Sequence, residues 1–136
     1  MESDVILNKI QTIERCLKRI AEEYDNNSEN LKNYTKQDSI ILNIQRACEA
    51  SLDIGMHIIA EKKLGIPQTS RDVFEILQEN KIIAKNIADN LKAMVGFRNV
   101  AVHDYQKLNL KVVQKIIENH LTDFQEYTKQ IILKEF

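Results

Sequence analysis

The apolar residues of this chain fall into helical register almost from its first turn. Ile6, Ile10, Ile13, Leu17, Ile20 and Tyr24 alternate steps of four and three, which lines one face of a helix. The pattern stops at Asp25-Asn26-Asn27-Ser28, side chains that bond to nearby backbone and favour a loop. A second helix is predicted from Thr35, whose hydroxyl would cap it with Asp38 three residues on. Its stripe of Ile41, Ile44, Cys48, Gly55 and Ile58 carries it to about Lys63; Gly65 then suits a C-cap, and Pro67 forbids continuation. Ser70 is expected to cap a short third helix around Val73, Phe74 and Leu77. A fourth carries Ile87, Leu91, Met94, Arg98, Ala101 and Tyr105 at the same alternating spacing. Asn109 then caps a last helix that turns Leu110, Val113, Ile117, Leu121, Phe124, Thr128 and Ile131 inward. The prediction is an all-α fold, an antiparallel four-helix bundle with one additional short helix.

Composition narrows this further. With 136 residues, a single domain spanning 1–136 is expected, large enough to close a core without disulfides or metal. Three Gly and one Pro are too few for the turns of a sandwich or barrel. No apolar run reaches the length of a membrane span, so no membrane partner is expected. Glu2, Asp4, Lys9, Glu14 and Arg15 leave no room for a signal peptide, which makes the cytoplasm the expected location. Cys16 and Cys48 lack the spacing of a metal or redox motif and read as reduced core thiols. The formal net charge is −1, without the positive excess of proteins that grip nucleic acid nonspecifically. Contact with nucleic acid must then be local, or built where two chains meet. Lys81, Lys85, Lys92 and Arg98 against Asp89 offer such a local patch, either a groove that a dimer would pool or an ordinary exposed helix face.

Familiar catalytic signatures are missing: no glycine-rich phosphate loop, no paired Cys motif, no His-Glu-x-x-His and no Gly-x-Ser-x-Gly elbow. Glu49, Asp53 and His57 recur every four residues and could ligate a metal, but no other segment completes the set. A solvated helix face is the better reading, and no metal or cofactor is expected. The informative stretch is Gly96-Phe97-Arg98-Asn99-Val100-Ala101-Val102-His103-Asp104-Tyr105. A guanidinium on an apolar stripe is costly unless it faces a partner or a cleft. At about 100° per residue, a continuous helix would put Tyr105 on the face of Arg98 and His103 about 140° away. A joint site therefore needs the helix to end near His103, or a second chain. The bland alternative pairs Arg98 with a carboxylate, leaves His103 on the surface, gives Asn99 a helix-terminal hydrogen bond and buries Tyr105.

Arg98-Asn99, then His103 and Tyr105, form an Arg-x4-His-x-Tyr motif that resembles the HEPN superfamily, specifically the HepT toxins of HepT/MntA toxin–antitoxin systems. Gln37-Asp38-Ser39, Gln45-Arg46-Ala47-Cys48-Glu49-Ala50, Gly65-Ile66-Pro67-Gln68 and Met94-Val95-Gly96-Phe97-Arg98 resemble the same family, in matching order over nearly the whole chain. The resemblance implies a metal-independent endoribonuclease on a helical bundle, active as a homodimer whose two motifs face one cleft. It also implies a partner, an MntA-like nucleotidyltransferase antitoxin that uses ATP to attach AMP to the motif Tyr. Mapped here, Arg98 and His103 are the catalytic pair, Asn99 supports them, and Tyr105 accepts AMP.

The chemistry suits those residue types. Metal-free RNA cleavage through the 2′-hydroxyl needs a base, an acid and positive charge for the pentavalent intermediate. Imidazole, with an ordinary pKa of ~6.5, serves in either protonation state near neutrality. Guanidinium stays charged and offers a planar fork to phosphate oxygens. The competing expectations are a non-catalytic helical module partnering a nucleotidyltransferase, and a plain structural bundle that leaves the charged stripe residue unexplained.

Overall fold

The computed structural model describes residues 2–136, with side chains from Asp4 onward. Six helices run in order: α1 (Glu2–Tyr24), α2 (Tyr34–Lys62), α3 (Ser70–Glu79), α4 (Lys85–His103), α5 (Leu110–Asn119) and α6 (Leu121–Glu135). Short 3-10 turns at Ser28–Lys32 and Tyr105–Lys107 fill two of the connections. No strand occurs among the described residues, and none of their helices is long and apolar enough to cross a membrane.

Helix α1 buries the whole predicted stripe from Ile6 to Tyr24, and it lies along α2. Helix α2 is wrapped more completely than its stripe suggested. Ile40, Ile41, Ile44, Ile54, Ile58 and Ile59 are all sealed, because α1 covers one flank while α3 and α4 cover others. A helix hydrophobic over most of its circumference belongs at the centre of a bundle, and there α2 acts as the spine. Gly55 permits a close crossing. A β-carbon there would lie 2.4 Å from Cγ1 of Val73 on α3 and 3.4 Å from the Tyr127 hydroxyl on α6. Tyr127 is fully buried, donates its hydroxyl to the Ser51 carbonyl at 2.8 Å and meets Phe74 edge-on.

The structure moves three predicted caps. Asn33, not Thr35, caps α2, its side chain accepting from the Lys36 N–H at 3.1 Å; Thr35 already lies inside the helix. Asp38 is thereby free for another contact. Helix α2 closes at Lys63, which takes the left-handed conformation (φ 55°), while the Leu64 N–H bonds back to the Ile59 carbonyl at 3.0 Å. Gly65 is not the cap; its φ of 144° serves the turn that follows. Thr69, not Ser70, caps α3 through a reciprocal box with Asp72. The Asp72 carboxylate accepts from the N–H groups of Gln68 (2.9 Å) and Thr69 (3.1 Å), which hold it below the usual carboxylate range.

Asn109 caps α5 as expected, accepting from the Lys111 N–H at 2.8 Å. The predicted last helix, however, is two, with a break at His120 (φ −125°, ψ −3°). No Gly or Pro announces it. Asp123 stabilises the break: its carboxylate meets His120 Nδ1 at 2.9 Å and accepts from the Asn90 amide at 3.2 Å.

Candidate functional site

The site is assembled where α4 crosses α2 and the start of α3. Arg98 continues the buried stripe of Ile87, Leu91 and Met94, so its guanidinium points into the protein rather than away from it. Two groups receive it. Nη1 lies 3.1 Å from Glu49 Oε1 on α2, and Nη2 donates to Ser70 Oγ at 2.9 Å. Nε is buried without a partner. The Arg98 side chain is 18% exposed and that of Glu49 44%, so the pair sits at a rim rather than in the core.

Local structure explains this arrangement. The turn that carries Lys63, Gly65 and the Thr69–Asp72 box delivers Ser70 as the first residue of α3, with its hydroxyl left over because Thr69 does the capping. Arg71, next in line, donates from Nε to the Lys92 carbonyl at 3.3 Å and fastens α3 to α4. Beside Arg98 opens a hollow of 530 Å³, lined by Leu52, Met56, Ile66, Pro67 and Val73 together with Glu49, Asp53 and Ser70. Cys48 is buried one residue before Glu49; burial pushes its thiol up to about 12, against the pull of the nearby guanidinium. A second hollow of 370 Å³ lies between α4 and α5, over Met94, Phe97, Val112 and Ile116, and Arg98 does not line it.

The motif residues are not gathered into one place within a single chain. His103 is the last residue of α4, exposed and without a side-chain partner among the described residues. Because both residues are helical, the five-residue step turns His103 about 140° from Arg98. Val102, 46% exposed, and the exposed Asn99 occupy the sector between them. Asn99 makes no helix-terminal side-chain hydrogen bond, so that part of the bland alternative does not hold.

Tyr105 departs from the helical extrapolation. Asp104 (φ −152°, ψ 56°) leaves helical geometry after its N–H closes the last turn on the Val100 carbonyl at 2.8 Å. Tyr105 therefore stands on the following 3-10 turn, exposed rather than in the core, and its hydroxyl donates to Asp38 Oδ1 on the first turns of α2.

Of the four cations read as a local patch, Lys85 pairs with Asp89 (2.9 Å), Lys92 with Glu75, and Arg98 with Glu49. Within a single chain, three of the four cations are thus matched by carboxylates. The Glu49, Asp53 and His57 row is not merely solvated: Asp53 pairs with Lys9 at 3.0 Å and His57 with Glu61 at 3.2 Å, while Glu49 belongs to the site. Sequence reasoning missed Glu49, Ser70 and Asp38 as site residues. The available signal was Arg98 itself, since a charge in an apolar stripe demands a carboxylate somewhere across the interface.

A profile of the family described as Ribonuclease HepT-like matches residues 10–131. The mRNA nuclease HepT of Shewanella oneidensis is 52% identical over 125 residues, covering 92% of this chain and 94% of that protein. Among solved structures, a toxin–antitoxin crystal structure with AMP-PNP superposes with a TM-score of 0.92 at 50% identity, covering 96% of this chain and 98% of that one. A tri-AMPylated Shewanella oneidensis HEPN toxin in complex with an MNT antitoxin gives 0.91 at 50% identity, with the same coverage. With the family profile spanning nearly all of the chain and the all-α fold shared throughout, this protein belongs to the Ribonuclease HepT-like family.

Proposed function

We propose that the chain is the ribonuclease toxin of a HepT/MntA toxin–antitoxin pair. It is a metal-independent endoribonuclease that cuts RNA at a cleft between two copies of itself. A cognate MntA-like nucleotidyltransferase silences it by attaching AMP to Tyr105. The observation that carries this reading is the clamp on Arg98, a guanidinium kept in an apolar stripe and oriented from two sides by Glu49 and Ser70. An ion pair alone would also suit a structural bundle, but a guanidinium held from two sides at the mouth of an open hollow is the fixed fork that a phosphate site needs. Names of relatives support the substrate: the 52% identical protein is an mRNA nuclease, and the aligned solved toxins are bound to antitoxins.

In this mechanism Arg98 stabilises the charge that builds on the phosphorane, while Glu49 keeps the guanidinium paired until RNA arrives. His103 moves protons: one imidazole takes the 2′-hydroxyl proton and its symmetry mate protonates the departing 5′-oxygen. A two-fold axis passing by Val102 would turn Arg98, Asn99 and His103 of both copies toward one crevice, which no single chain can form. Asn99 supports a phosphate there. The protein works in the cytoplasm, where its two buried cysteines remain free thiols.

The test incubates purified Arg98→Ala and His103→Ala proteins with RNA. Both should lose cleavage while keeping helical signal, because Glu49 and His103 are open enough to water to tolerate the change. Undiminished cutting by His103→Ala rejects the mechanism, and an inactive parent chain favours the binding-module reading. In the neutralised complex, the peptide containing Tyr105 should carry adenylate; an unmodified peptide would mean that the antitoxin acts by steric blocking.

A further inference from the structure

Tyr105 is exposed, yet its hydroxyl is committed. It donates to Oδ1 of Asp38, a residue 67 positions earlier in the chain. Nothing in RNA cleavage calls for this contact, and Asp38 is not needed for capping, since Asn33 caps α2. The carboxylate beside Tyr105 in sequence is otherwise engaged, for Asp104 pairs with Lys107 at 3.3 Å. Partial desolvation at this contact, reinforced by the hydrogen bond and charge of the Asp38 carboxylate, holds the Tyr105 phenol well above its ordinary range, so phenolate is scarce at neutral pH. A neutral phenol is a poor nucleophile toward phosphorus, and its attack requires a positioned proton acceptor.

Resting on the reading that Tyr105 accepts AMP, we infer that Asp38 is the base of that transfer and therefore a catalytic residue contributed by the toxin to its own inactivation. The Asp38 carboxylate takes the phenolic proton as Tyr105 Oη bonds to the α-phosphorus of a nucleoside triphosphate. The bond from that phosphorus to the oxygen bridging to the β-phosphorus breaks, pyrophosphate departs, and the proton passes from Asp38 to solvent. A carboxylate accepting a substrate hydroxyl proton during attack on phosphorus is the arrangement used by protein kinases. Here the acceptor chain would bring its own base, already hydrogen-bonded before the transferase arrives. The product tyrosyl ester has no proton to donate, so the contact that started the reaction is removed by it.

The test uses Asp38→Asn. The amide keeps an oxygen that can accept from Tyr105 and nearly the same shape, but it cannot take up the proton. Full-length wild type, Asp38→Asn and Asp38→Glu are each mixed with the cognate antitoxin and ATP, and the adenylated fraction is followed by intact-mass spectrometry. Expected is a rate about 100-fold or more lower for Asp38→Asn, partial recovery in Asp38→Glu, and unchanged antitoxin binding. Modification of Asp38→Asn at the wild-type rate overturns the inference and leaves Tyr105 as acceptor. Loss of antitoxin binding alongside the rate overturns it as well, since Asp38 would then be structural. A wild-type chain that takes no AMP removes the underlying reading together with the inference.

Discussion

Replacing Gly55 by alanine tests the packing that assembles the site. The added methyl would lie 2.4 Å from Val73 Cγ1, 3.2 Å from Leu77 Cδ1 and 3.4 Å from the Tyr127 hydroxyl. Carbon atoms settle at about 3.5–4.0 Å, so Val73 has to retreat by roughly 1 Å. It has no easy way to do so, being β-branched, 1% exposed and fixed on α3. Overpacking of this kind destabilises by ~1–3 kcal/mol, while removing a mid-helix glycine returns up to about 1 kcal/mol. With Val73 unable to yield, the upper part of that range applies, about 2–3 kcal/mol, so the net loss should be about 1–2 kcal/mol, or roughly 3–8 °C in Tm for a chain of this length, read by thermal unfolding followed at a helical signal. Shifting α3 also moves Ser70 away from Arg98, so cleavage should fall with stability. Val73→Ala makes the room that the methyl needs. The Gly55→Ala/Val73→Ala chain should therefore be about 1 kcal/mol more stable than the two single losses added together. A Tm at or above that of the parent for Gly55→Ala, or strict additivity in the double variant, refutes the close-contact argument.

Other outcomes follow from the same geometry. Arg98→Lys should reduce RNA cleavage by roughly 100-fold, because one ammonium cannot replace a fork held between Glu49 and Ser70; at such a rim the stability loss should stay within about 1 kcal/mol. Wild-type turnover in that variant would mean that charge alone suffices. Asp72 is held below its ordinary pKa of 3.8 by the Gln68 and Thr69 N–H groups, so its stabilisation of the α3 start is complete above that value. It disappears as pH falls through the lower folded-state pKa. Asp72→Asn should flatten the acid limb of a stability-versus-pH curve, measured by urea unfolding at stepped pH; an acid limb as steep as that of the parent contradicts the capping account.

Helices α1, α2 and α4 were legible because helical periodicity is a local property. Ile6 to Tyr24 states its buried face within the segment itself, and so does Ile87 to Met94. Arg98, His103 and Tyr105 were legible as a motif for the same reason, lying within eight consecutive positions. The caps were less so, since Asn33 and Thr35, or Thr69 and Ser70, are chemically equivalent candidates separated only by backbone angles. The break at His120 was hidden because Asp123 and Asn90 compensate it from neighbouring turns and from α4.

What tertiary structure alone decided is which distant residues meet. Glu49, Ser70 and Arg98 lie on three different helices, and Asp38 and Tyr105 are 67 residues apart. No periodicity encodes such contacts, because a stripe specifies which face of a helix is buried and not what it is buried against. The close approach of α3 to α2, permitted by the missing side chain at Gly55, sets Ser70 beside Glu49 and converts a charged anomaly in the α4 stripe into a clamped guanidinium. The end of α4 at His103 likewise turns an apparent core tyrosine into an exposed hydroxyl held by a carboxylate.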